Sequence, residues 1–114
     1  MASDAVFINF QEGVGRMMNN VKLFTKLLGK FINDAKLDKL EEALAGGDFD
    51  KAYAEAHTIK GLAANLAMTE LASKILELEA QIKAKSVNPA QVETVKNVFA
   101  KTMQEAAKIV QENG

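Results

Sequence analysis

The chain has no cysteine and no tryptophan, and only one proline, one tyrosine and one histidine in 114 residues. Without cysteine there is no disulfide framework, no thiolate metal site and no thiol nucleophile. One proline and seven glycines are too few for an all-β chain rich in turns. An excess of one charge is missing as well. Lys and Arg number 14 against 15 Asp and Glu, for a formal charge of −1. Such a balance offers no electrostatic footprint for nucleic acid or an anionic membrane. No signal peptide is evident, and no apolar run approaches the ~20 residues that span a bilayer. What is present is 48% hydrophobic residues with six phenylalanines, so the core is built mostly of Leu, Ile, Val, Ala and Met. That suffices for one domain over residues 1–114, soluble and cytoplasmic.

Helical periodicity organises the chain into four longer segments. The first runs from about Asn20 to Ala45, with Val21, Phe24, Leu28, Phe31 and Ala35 at steps of three and four. Leu37, Leu40 and Leu44 continue it after a phase slip near Asp34, where a bend or break is expected, and Gly46-Gly47 ends it. Asp48 is a good N-cap for the second helix, which runs to about Leu66 over Phe49, Ala52, Ala56, Ile59, Ala63 and Leu66. Thr69 is expected to cap a third helix carrying Leu71, Ile75, Leu78 and Ile82. The fourth has Asn88 as N-cap, Pro89 at its first position and Gln91 at the third, as in a capping box. Its stripe is Val92, Val95, Phe99, Met103, Ala106 and Val110. A short helix between Val6 and Met18, interrupted by Gly13 and Gly15, is expected to lid one end. Short connections between long amphipathic helices favour antiparallel neighbours. The expected fold is all-α: an up-down-up-down antiparallel four-helix bundle with a short N-terminal helix.

The single histidine, His57, is where this sequence becomes specific. At 3.6 residues per turn it projects roughly 130° from the centre of its helix's apolar stripe. It therefore points outward. A lone outward histidine is ordinarily a surface residue, but three features set this one apart. Tyr53, Ala54, Gly61, Ala64 and Met68 fall on the same side and make a low, uncharged strip that suits docking by another protein. Gly61 costs on the order of 1 kcal/mol relative to alanine in mid-helix, either to leave room one turn above the imidazole or to pack against another helix. Lys60, at the margin of the strip, could neutralise the oxygens of a phosphoryl group on the ring.

The third feature is geometric. If the second and third helices turn about Met68, His57 and Glu79 both stand eleven residues from it, roughly 16 Å down the hairpin at 1.5 Å per residue. Glu79 could then accept from Nδ1–H, fix the tautomer and leave the Nε2 lone pair outward. Equally, it could form a surface pair with Lys83 at i,i+4. No glycine-rich nucleotide loop, carboxylate cluster for Mg²⁺ or second metal-ligating histidine accompanies these residues. The chain can hold a phosphoryl group but shows nothing to take one from ATP unaided.

The run Ala56-His57-Thr58-Ile59-Lys60-Gly61-Leu62-Ala63-Ala64-Asn65-Leu66, followed by Leu78-Glu79, resembles the histidine-containing phosphotransfer (HPt) domain family. Phe10-Gln11-Glu12-Gly13 through Arg16, and Leu27-Leu28 to Phe31, also look like its N-terminal region. The resemblance implies that His57 is phosphorylated on Nε2, that Lys60 and Gly61 assist it, and that Glu79 holds the place of a glutamate or glutamine bonded to the histidine. One departure is Ala67, where the family usually has glycine; it bears on the hairpin turn rather than on the chemistry. A phosphorelay intermediate follows, a carrier rather than an enzyme on its own. It needs no cofactor, with Mg²⁺ expected on the partner. Partners would be response-regulator receiver domains or a hybrid sensor histidine kinase, with neither nucleic acid nor membrane. A monomer is expected, since no apolar face is left over beyond the helix stripes and the His57 strip. The alternatives are a helical adaptor that only binds, or the phosphoacceptor domain of a chemotaxis-type kinase. The polar tail Gln111-Glu112-Asn113-Gly114 suits a free-standing protein and an excised domain alike.

Overall fold

Each helix begins or ends where a side chain or a turn supplies the hydrogen bonds that the helix itself lacks. The computed structural model describes residues 7–113, and among these the chain is all-helical. The elements are α1 (Phe10–Arg16), α2 (Val21–Asp34), α3 (Asp38–Ala45), α4 (Phe49–Asn65), α5 (Thr69–Lys83) and α6 (Pro89–Asn113). The side chains of Asn9, Asn20 and Asp48 accept from the backbone N–H groups of Glu12, Leu23 and Lys51, capping α1, α2 and α4. The phase slip near Asp34 is a true break: Ala35 is extended and α3 starts afresh at Asp38. Gly47 takes φ +73°, and the Asp48 N–H donates to the Ala43 carbonyl at 2.9 Å, closing α3 in a Schellman turn.

Two expected caps work differently. Thr69 is the first residue of α5, and the cap position falls on Met68 with no side-chain bond. At α6, Asn88 accepts from the Ala90 N–H, but Gln91 does not reach back to it. The Gln91 amide donates to the Lys74 carbonyl on α5, and Gln81 accepts from the Asn88 N–H, both at 2.9 Å. The capping bonds are thus exchanged between α5 and α6, which ties the two helices together.

The α4–α5 turn forms with Ala67 at φ +57°, a left-handed position that costs an alanine roughly 1–2 kcal/mol. The Met68 N–H still donates to the Ala63 carbonyl at 2.9 Å. The segment before α1 braces this turn, with the Asn9 N–H donating to the Ala67 carbonyl. The Ile8 N–H donates to Glu105 on α6. The start of the expected N-terminal helix, Val6, lies outside the described residues. Gly13 and Gly15 do not interrupt α1; the helix runs through both. A Cβ on Gly13 would stand 2.3 Å from the Phe24 ring, which is buried and held edge-on by Phe10. Gly13→Ala should therefore lower stability by about 1–2 kcal/mol, because overpacking of about 1–3 kcal/mol exceeds the gain in helix propensity of about 1 kcal/mol. A fall in melting temperature reads it.

Helix α4 packs on α5, α5 on α6, α6 on α2, and α3 on α4. Phe24, Leu28 and Phe31 from α2 meet Leu71, Ile75, Leu78 and Ile82 from α5 and Val95, Val98 and Ala106 from α6 in one core. Helix α4 contributes Ala52, Ala56, Ile59 and Ala63. Three alanines on that face keep the helix surface low, so a neighbouring side chain can reach across α4 to its outer side. Among the described residues no helix is long and apolar enough to cross a membrane.

Candidate functional site

His57 lies near the middle of α4, with its side chain 61% exposed. Glu79 comes from α5, and although it carries a charge its side chain is only 4% exposed. It sits among Ile75, Leu78 and Ile82 on the buried face of its helix. A carboxylate in such a place must be paired and hydrogen-bonded. Both its oxygens are used: Oε2 lies 3.1 Å from His57 Nδ1, and Oε1 accepts from Lys60 Nζ at 2.8 Å. An ionised carboxylate can only accept, so at this contact Nδ1–H is the donor, and in the neutral ring that leaves the Nε2 lone pair facing outward. The structure thus joins His57, Lys60 and Glu79 in one hydrogen-bonded group spanning two helices.

The contacts decide between the two readings of Glu79 and add detail to that of Lys60. Glu79 does not pair with Lys83; its burial leaves it facing α4 rather than the exposed end of its own helix. Lys60, at the margin of the strip, is tied to Glu79. Its side chain is 24% exposed and folded down onto Glu79, because an unpaired buried carboxylate is the costlier alternative.

Gly61 is exposed, and a Cβ added there would meet nothing within 4 Å. Helix packing does not explain it, and the space above it is open. Ala54 and Ala64 are exposed on the same helix, so the low strip runs along the outer side of α4. Met68 does not belong to it. Helix α4 stops at Asn65 and the chain turns through Leu66 and Ala67, which sends Met68 into the core with no exposure. Continuing the helical phase past the turn had placed it outside.

Three features of the surroundings escaped the sequence reading. Tyr53 stacks on His57, with ring centroids 5.9 Å apart and planes 12° apart. Their i,i+4 spacing was the available signal. Leu62 and Leu76 are 45% and 55% exposed, adding apolar surface on α4 and α5. Both fall outside the apolar stripes of their helices, and that was the available signal. Among the described residues no three His, Asp or Glu side chains gather as a metal site.

Chemically the group presents an exposed nitrogen nucleophile whose tautomer is held from behind by a buried, charge-balanced carboxylate. It has a cation within reach and open space one turn along the helix. The family model described as Hpt domain matches the chain over residues 26–109. That is more than half of the chain and spans His57, Lys60, Gly61 and Glu79. Comparisons with curated proteins and with solved structures gave no match.

Proposed function

The chain belongs to the Hpt-domain family, and on that premise we propose that it is a phosphorelay intermediate with His57 as its phosphoacceptor. The family's role is histidine phosphotransfer in two-component signalling; the finer assignments below are our reading of this chain. A receiver domain presents an aspartyl phosphate. The Nε2 lone pair of His57 attacks phosphorus in line, the N–P bond forms, and the P–O bond breaks with its electron pair leaving on the aspartate carboxylate. A second receiver aspartate later reverses the step. The transition state is loose, so positioning and charge neutralisation supply most of the catalysis. The divalent metal for this chemistry is expected on the receiver, and this chain acts as a carrier rather than an enzyme.

The observation that carries the reading is the Nδ1 contact to buried Glu79 on an otherwise exposed imidazole. Glu79 orients the ring and balances the positive charge that builds on it as Nε2 bonds phosphorus. Lys60 first offsets Glu79 and, from that anchored position, adds positive field beside the phosphoryl oxygens. Ala54, Ala64 and Gly61 form the low surface against which a receiver docks. The same reading takes residues 1–114 as one cytoplasmic, monomeric domain. It takes α2, α4, α5 and α6 as the antiparallel up-down bundle, supported by their pairings and short connections.

The test is incubation with a phosphorylated receiver domain. Acid-labile, base-stable label should appear at one phosphoryl group per chain. Stoichiometric binding with no label would instead support an adaptor. Gly61→Ala separates fold from function. It should raise stability by about 0.5–1 kcal/mol through helix propensity while slowing transfer, because the methyl stands in the space a phosphoryl group enters. Thermal melts and single-turnover transfer measure the two effects.

A further inference from the structure

Resting on the phosphoacceptor reading, we propose that Tyr53 is a positioning residue for His57 rather than a contact for the partner. The hydrogen bond to Glu79 fixes one point of the imidazole, Nδ1. A ring tethered at Cβ and held at Nδ1 can still tilt about the line between those points, carrying Nε2 with it. Tyr53, one turn earlier on α4, supplies the second restraint: its ring lies nearly parallel to the imidazole, 12° between planes at 5.9 Å, within the range of offset aromatic pairs. Tyr53 is itself anchored. It is half-buried and packs against the core, beside a cleft whose other walls are Phe49, Asp50 and Lys83. A half-buried, anchored ring is a poor candidate for the free surface that a docking partner covers, and a good one for a fixed wall.

Together the two restraints set both the plane of the imidazole and the direction of the Nε2 lone pair. That direction matters at the moment when Nε2 forms its bond to phosphorus and the P–O bond to the receiver aspartate breaks. In-line transfer depends on the angle of approach, and misalignment is felt in the rate constant rather than in affinity. The Nε2 lone pair lies in the plane of the ring, so a fixed plane sets the line along which phosphorus must arrive.

Single-turnover transfer from a phosphorylated receiver, measured over a range of receiver concentrations, tests this. Tyr53→Leu retains apolar bulk against the core but removes the stacking face. It should lower the maximal rate on the order of two- to tenfold, the size of one aromatic pair, with the half-saturating receiver concentration unchanged. Tyr53→Phe should match the wild type. The ¹H shifts of the His57 ring should move in Tyr53→Leu and stay in Tyr53→Phe, since only the latter keeps the ring current. A Tyr53→Leu variant that transfers at the wild-type maximal rate, or loses only affinity for the receiver, overturns the proposal. Absence of label on the wild type would overturn the phosphoacceptor reading instead, whatever the ring shifts show.

Discussion

His57→Gln is expected to accept no acid-labile phosphoryl label from a phosphorylated receiver while remaining folded. Loss of the label follows because glutamine has no lone-pair nitrogen able to attack phosphorus, and no other histidine exists in the chain to replace it. Retention of the fold follows from exposure. The side chain is 61% exposed, and substitutions at such sites usually change stability by no more than about 0.5 kcal/mol. Glu79 is not left unpaired, because Lys60 Nζ still donates to its Oε1 at 2.8 Å, and glutamine keeps an N–H donor on the same exposed side chain. Label assay and thermal melt should therefore disagree completely: transfer gone, melting temperature nearly unchanged. Equal labelling of the variant would remove His57 from the mechanism.

Lys60→Met should have the largest effect on stability of any change in the site, a loss of about 2–4 kcal/mol in urea denaturation. Lys60 Nζ holds Glu79 Oε1 at 2.8 Å, and Glu79 is buried among the core leucines and isoleucines of α5. Removing the ammonium leaves that carboxylate buried without its counter-charge, which is the expensive half of breaking such a pair. The second change that isolates the cause is Glu79→Gln. In the double variant the unpaired charge no longer exists, so more than half of the lost stability should return, a coupling typical of residues in one network. If Lys60→Met and the double variant are equally destabilised, the cost lies in packing of the lysine stem instead.

Much of this arrangement was legible in the residues because it depends on local rules. Asp48 caps α4 as its position before Phe49 indicated, and the phase slip at Asp34 became the break between α2 and α3. The outward orientation of His57 is a matter of counting at 3.6 residues per turn. Counting also put Glu79 at the level of His57, since two helices joined by a tight turn keep their residues in step. Met68 shows where counting stops. Beyond Asn65 the backbone leaves the helix, Ala67 turns left-handed, and the phase that put Met68 on the strip no longer applies. Ala67 itself shows that the turn tolerates a residue other than glycine, its strain offset by the bonds from Asn9 and Met68.

The remaining details were set by choices between distant partners, which spacing does not encode. Lys60 could have reached into solvent, but the burial of Glu79 decided its place. Gln91 had a local role open to it as the third residue of α6, and the Lys74 carbonyl of a neighbouring helix drew it away. Gly13 gave no sign of its purpose until the Phe24 ring was seen lying where its Cβ would go. In each case the deciding contact lies on another helix.

The most direct measurement of the orientation of His57 is a long-range ¹H–¹⁵N correlation on its imidazole, recorded before and after phosphoryl transfer. The resting protein should show the proton on Nδ1 and the lone pair on Nε2, and the phosphorylated protein should show coupling of phosphorus to Nε2. A resting ring protonated on Nε2, or phosphorus bonded to Nδ1, would contradict the roles given to Glu79 and His57.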